Sequence, residues 1–105
     1  MTELSQSDWI EQKAQDPDAV ILDVRTDEEV AEGYIEGAIH IDIYGGQAFL
    51  DALEELDKSK SYFVYCRSGN RSGQACAIMA SKGFEKTFNL IGGVMEWEGP
   101  LVEGE

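Results

Sequence analysis

Four mostly apolar runs, each too short to be a helix, are spaced along this chain with helix signals between them. They are Ala19-Val20-Ile21-Leu22, Ala38-Ile39-His40-Ile41, Tyr62-Phe63-Val64-Tyr65 and Thr87-Phe88-Asn89-Leu90. Ala19-Val20-Ile21-Leu22, apolar on four successive residues, reads as a buried strand, and the other three read as further strands. Such strands separated by helices form β/α units, and β/α units form a mostly parallel sheet. A chain of 105 residues has room for one domain built that way. No repeat or linker divides it, so residues 1–105 read as a single domain with a core from about 4 to 98.

The intervals carry their own punctuation. Ser5 or Ser7 can cap a helix bearing Trp9, Ile10 and Ala14 on one side, and Asp16-Pro17-Asp18 ends it. Asp27-Glu28-Glu29-Val30-Ala31 reads as a short acidic helix stopped at Gly33. After a break at Gly45-Gly46, Phe49, Leu50, Leu53 and Leu56 fall on one face of a helix from about Gln47 to Asp57. A further helix runs from about Arg71 to Lys82. Ala75, Cys76, Ala77, Ile78, Met79 and Ala80 cover most of its circumference, which predicts a buried helix ended by Gly83. Gly92-Gly93 turns into a last short helix holding Val94 and Trp97. Met1–Ser5 and a tail over 99–105 read as loose ends.

The net charge of −13 argues against nucleic acid and anionic membrane, whose phosphates such a surface repels. It names no partner, and solubility accounts for it. Two cysteines, Cys66 and Cys76, are too few for a disulfide framework and lack the spacing of a metal site. No basic region followed by an apolar run opens the chain, and no apolar stretch approaches the ~20 residues of a membrane span. The expectation is a cytoplasmic monomer without metal or cofactor.

The chemistry concentrates at Cys66-Arg67-Ser68-Gly69-Asn70-Arg71-Ser72. Cys66 stands where a buried strand ends and a loop enters a helix. Ligands of open α/β sheets bind at that end of the strands. A helix start presents unpaired N–H groups and a positive dipole, and successive loop amides can wrap an anion. Gly69 permits the backbone angles of such a turn. Arg67 and Arg71 are two of only eight basic residues against twenty-one acidic ones. A thiol there should ionise below its usual ~8.5, giving a nucleophile and an oxyanion cradle in one loop. Cys66 as mere core filler fits the cysteine alone but not the arginines and glycine around it. Cys76, mid-helix among alanines, is core filler. His40, the only histidine, lies on another element, and a Cys–His dyad has no support in the sequence.

Three motifs then carry a family resemblance from about Leu4 to Trp97. The first is Leu22-Asp23-Val24-Arg25-Thr26, continuing through Glu29 and Gly33 to Ile35-Glu36-Gly37-Ala38-Ile39. The second is the Cys66–Ser72 loop, and the third is Leu90-Ile91-Gly92-Gly93-Val94 with Trp97. Together they resemble the rhodanese family in its single-domain form. The resemblance implies an α/β fold of three layers, a mostly parallel four- to five-stranded sheet with helices on both faces. It implies that Cys66 carries sulfane sulfur from thiosulfate or a persulfide to a thiophilic acceptor. Arg67, Ser68, Gly69, Asn70 and Arg71 would then bind the transferred group. Ser72, Asp23 and Arg25 would support the site, the last two by pairing with neighbours and not by chemistry. Partners would be a small anionic sulfur donor and a thiol or cyanide acceptor, with thioredoxin or a sulfur-accepting protein as further acceptors. Tyr34 follows Gly33 where the family often has histidine, and His40 replaces a common asparagine; neither is in the loop.

Two other classes remain in view. Cysteine-dependent phosphatases and arsenate reductases close a loop between cysteine and arginine, but four residues lie between Cys66 and Arg71, one fewer than those loops use. The tighter ring favours sulfur over a phosphate ester. A non-catalytic rhodanese-like binding or sulfur-carrier module is the other reading, and the retained cysteine weighs against the first of these roles.

Overall fold

A computed structural model describes residues 1–103. Its centre is a five-stranded sheet in the order β1-β5-β4-β2-β3, with every pairing parallel. The strands are β1 (Thr2–Leu4), β2 (Val20–Asp23), β3 (Ile39–His40), β4 (Ser61–Tyr65) and β5 (Lys86–Leu90). All five residues of β4 are buried, as the unbroken apolar run requires of a central strand. The helices are α1 (Gln6–Ala14), α2 (Asp27–Ala31), α3 (Gln47–Glu54) and α4 (Asn70–Ser81), with 3-10 turns at Ile43–Gly45 and Gly93–Glu96.

Two cores lie on opposite faces of the sheet. Leu22, Val24, Tyr62 and Val64 meet Phe49 and Leu53 of α3 and Ala75, Cys76 and Met79 of α4. Ile21, Phe63, Tyr65 and Leu90 meet Trp9 of α1, with Val94 and Trp97 alongside. The period of two along β4 sends Tyr62 and Val64 one way and Phe63 and Tyr65 the other. Cys66 keeps the phase of Tyr62 and Val64 and belongs to the α3–α4 side.

The topology fixes where a site can form. The chain starts at the edge strand β1, crosses to β2, moves outward to β3, then returns to β4 beside β2 and moves outward the other way to β5, which fills the place between β4 and β1. The direction reverses between β2 and β4, so their carboxyl ends open the crevice that open α/β sheets use for ligands. Those ends are Asp23 and Tyr65, and Cys66 follows Tyr65 directly. No helix among the described residues is long and apolar enough to cross a membrane.

Several sequence expectations are corrected. Met1–Ser5 is not a loose end, because β1 pairs Thr2 with Phe88 and Leu4 with Leu90. Its apolar content was too small to read as a strand; as an edge strand it buries only Leu4. The tail is not free over 99–102 either. Tyr34 and Val102 exchange backbone hydrogen bonds of 2.9 and 2.8 Å, and the Trp97 indole donates to the Pro100 carbonyl. The last two residues of the expected tail lie outside the described ones. Helix α4 is buried along one stripe, Ser72, Ala75, Cys76 and Met79, while Ala77 and Ala80 face solvent. Alanine tolerates either environment, so its presence did not fix the buried face. The last element is a 3-10 turn that ends before Trp97. Ser5, not Ser7, caps α1, its hydroxyl accepting from the Asp8 amide.

Trp9 organises the face opposite α4. It is 1% exposed and packs edge-on against Phe63, Tyr65 and Trp97 at centroid distances of 5.8, 6.2 and 5.7 Å. Trp9→Ala is expected to destabilise the protein by about 3–5 kcal/mol, read as a lowered urea midpoint. A loss under about 1 kcal/mol would show that this face repacks without it.

Candidate active site

Cys66 follows the last residue of β4 and has no exposed surface. The chain turns at Gly69, whose φ of +102° caps α4 without a side-chain bond. An L side chain at that angle is strained, and a Cβ there would stand 3.3 Å from the Leu90 carbonyl. The turn aims the Gly69 N–H at Cys66 Sγ, 3.0 Å away. Ser72, one turn into α4, places Oγ 3.4 Å from the same sulfur. Burial pushes the Cys66 thiol up. The hydroxyl and amide of Ser72 and the amides of Gly69 and Ser68 oppose it, and the thiol ends below its ordinary value.

The two arginines part company. Arg71 sends both terminal nitrogens to Glu29, at 2.6 and 2.7 Å, and lies over the Tyr44 ring. Its charge still reaches Cys66, but it is spent on a carboxylate and not displayed to the loop's mouth. Glu29 is held by the same geometry. Arg71 lowers its carboxyl from 4.5 to about 2, with help from the Thr26 amide and hydroxyl against the cost of burial. Arg67 is exposed and lines a cleft of about 230 Å³ with Arg25, Glu29, Val94 and Met95. Ser68, Gly69 and Asn70 border a second cleft, of about 250 Å³, with Glu3, Asn89, Ile91 and Gly92.

The loop is braced from behind by the third motif. Val94 N–H donates to the Cys66 carbonyl at 3.0 Å and Met95 N–H to the Arg67 carbonyl at 2.9 Å. Gly93 makes that approach possible, since a Cβ there would lie 2.5 Å from both carbonyl oxygens. Asn89, 1% exposed, donates through Nδ2 to the Gly69 carbonyl at 3.0 Å and to Glu3 at 2.7 Å. Its Oδ1 accepts from the Ser72 hydroxyl.

Asp23 and Arg25 brace the other wall. The Asp23 carboxylate accepts from Arg25 Nε and Nη2, from the Arg25 amide and from the Tyr65 hydroxyl. Arg25 Nη2 reaches on to the Gly33 carbonyl at 2.7 Å. Tyr65 Oη accepts from the Ile35 amide. These contacts join the ends of β2 and β4 to the segment after α2.

The remaining candidates stay away from the sulfur. His40 Nε2 donates to the Arg25 carbonyl at 2.6 Å and Nδ1 faces Asp27 at 3.6 Å, so no Cys–His dyad forms. Cys76 is buried in the α3–α4 core, where desolvation pushes its thiol up to about 12. No group of three or more metal-binding side chains occurs among the described residues. The sequence reading gave no role to Glu29, Tyr65 or Asn89. Glu29 carried a signal, as it completes a capping box with Thr26. A polar residue inside an apolar run was the signal at Asn89.

Glu29 ionises more easily folded than unfolded, so its pairing stabilises the protein fully above about pH 4.5 and loses that effect as pH falls toward about 2. The urea midpoint of Glu29→Gln should therefore lie below wild type near neutrality and converge with it across that window. A gap that stayed constant down to about pH 2 would show that the pair is not its source.

Residues 6–100 match the family described as "Rhodanese-like domain". The chain is 46% identical over 84 residues to a Bacillus subtilis protein named "Putative sulfurtransferase YtwF", covering 80% of this chain and 78% of that one. It is 31% identical over 97 residues to a "Sulfurtransferase" of Allochromatium vinosum, covering 92% and 88%. Its fold superposes on a crystal structure of a rhodanese-like domain protein from Staphylococcus aureus with a TM-score of 0.83, over 100% of both chains at 29% identity. The chain belongs to the rhodanese-like domain family.

Proposed function

We propose that this protein is a sulfurtransferase that carries sulfane sulfur as a persulfide on Cys66. The observation that supports it most is a sulfur held at the base of an amide-lined loop, its thiol drawn below the ordinary range. A thiolate is the nucleophile this chemistry needs. Its attack on the outer sulfur of thiosulfate forms the Cys66 S–S bond and breaks the donor S–S bond, and sulfite leaves with the electron pair. A thiolate or cyanide then attacks the outer sulfur of the persulfide. The new bond forms to the acceptor, and Cys66 leaves again as thiolate. No net redox change or cofactor is needed. Loop amides stabilise negative charge on the sulfur at each stage.

Two features favour sulfur over phosphate. Arg71 is engaged by Glu29 on both terminal nitrogens, leaving no free fork for a tetrahedral oxyanion. Arg67 makes no ion pair among the described residues and is exposed beside the loop, where it can meet an anionic donor. A small thiosulfate-like or persulfide anion suits that arrangement, and a thiol, cyanide or a thioredoxin-like protein is the acceptor.

Incubation with thiosulfate should add the mass of one sulfur to wild type and none to Cys66→Ser, which should also lose thiocyanate formation entirely. Turnover of p-nitrophenyl phosphate without any persulfide would replace this reading with phosphatase chemistry. Arg67→Gln should raise KM for thiosulfate about 3- to 10-fold with a smaller effect on kcat, as loss of one charge-assisted contact predicts. An unchanged KM would remove Arg67 from the donor site.

A further inference from the structure

The proton count around Ser72 is decisive. Asn89 Nδ2 faces the Gly69 carbonyl and the Glu3 carboxylate, and both can only accept. The amide orientation of Asn89 is therefore fixed, and Oδ1 is the atom that meets the Ser72 hydroxyl. An oxygen of that kind can only accept, so Ser72 must donate to it. A hydroxyl has one proton. While it rests on Asn89, Ser72 turns a lone pair toward Cys66 Sγ, 3.4 Å away. That arrangement serves a thiol, whose S–H donates to Ser72, and opposes a thiolate. All three side chains are closed off from water, with Cys66 and Ser72 at 0% and Asn89 at 1% exposure, so no solvent molecule supplies a second proton at that contact.

We propose that Asn89 is a positioning residue for Cys66, holding the Ser72 hydroxyl proton off the sulfur in the thiol form and yielding it when the sulfur becomes an anion. Ionisation releases the thiol proton to solvent. The Ser72 hydroxyl then rotates from Asn89 Oδ1 to Sγ, and Asn89 Oδ1 loses its donor. No bond other than S–H breaks and no redox partner is required. The same rotation serves a persulfide, whose inner sulfur carries less charge and demands the proton less. Glu3 strengthens the hold, because its carboxylate on Nδ2 polarises the amide and makes Oδ1 a better acceptor. The standing support of the thiolate thus falls to the loop amides, and the serine is conditional.

Other charged or titratable groups whose fields reach Cys66 are Arg71, paired with Glu29, and Cys76 on α4; Arg67, next in sequence, is exposed. They add a background that does not depend on Ser72, and a double-mutant cycle removes it.

The inference concerns the thiol itself and rests on the sulfurtransferase reading only for its effect on rate. The test is the Cys66 thiol pKa, read as ultraviolet thiolate absorbance with the Cys66→Ser protein as blank, in variants shown to be folded by thermal melts. Asn89→Leu is expected to lower that pKa by about 0.5 to 1, and Ser72→Ala to raise it by a similar amount. In the Ser72→Ala background, Asn89→Leu should change nothing. An equal change in both backgrounds, or a rise on Asn89→Leu alone, would overturn the proposal. Should Asn89→Leu fail to fold, Glu3→Gln carries the test. In high salt, which screens its direct field, it should lower the pKa only when Ser72 is present, and a Ser72-independent change overturns the proposal. Thiosulfate turnover is measured separately. Its absence with the cycle intact would sink the sulfurtransferase reading and leave this one standing.

Discussion

A carboxylate with 1% exposure must find compensation inside the protein, and Asp23 finds it in three groups. Arg25 supplies a charged fork and an amide, and Tyr65 supplies a hydroxyl. Removing one partner would leave a buried charge unmatched, a loss of about 3–5 kcal/mol in comparable pairs. That cost makes the arrangement all-or-none. The compensation also joins pieces of chain that hydrophobic packing alone would leave to slide. Asp23 ends β2, Tyr65 ends β4, and Arg25 and Tyr65 hold the backbone at Gly33 and Ile35. The crevice between β2 and β4 is thereby set to one width, and Cys66 follows Tyr65 directly.

The electrostatics of the loop differ from a simple cluster of cations. In a chain of net charge −13, both loop arginines invite assignment to the sulfur. Arg71 instead forms a fork-to-carboxylate pair with Glu29 and ties α4 to α2. What remains on the sulfur is directional: N–H groups at the start of α4 and a hydroxyl whose proton has a rival acceptor. Dipoles fixed by backbone geometry need no reorganisation when charge appears. They also need no counter-carboxylate nearby, whereas the Arg71 guanidinium is held by one.

Much of this was legible in the sequence, and the limits have physical reasons. The four runs sit at β2 to β5; for β2 and β4 continuous hydrophobicity and burial are the same constraint, whereas β3 is an exposed edge strand. The Cys66–Ser72 loop was legible because glycine, small residues and cations at a strand end leave little else to form. β1 was hidden because an edge strand buries one face in part, and Thr2-Glu3-Leu4 presents a single apolar residue to the core. Ion pairing of Arg71 was hidden because Glu29 lies 42 residues away and no local pattern links them. Asn89 was read as part of a strand, where its polarity had no partner in sequence. Its three partners come from β1, the loop and α4.

One of those partners bears on how the molecule is assembled. Glu3 meets Asn89 across 86 residues of chain, and β1 joins the sheet only by lying down beside β5. Closing so long a loop is entropically costly and slow beside the formation of neighbouring β/α units. The central strands and α4 can collapse first, with β1 arriving as the final edge. A folding intermediate would then hold a formed Cys66 loop whose asparagine lacks its carboxylate. The Cys66 thiol of that state would ionise more readily than in the finished protein and would settle to its native reactivity only after the helices had formed, so the chemistry of one cysteine becomes a clock for the docking of the first strand.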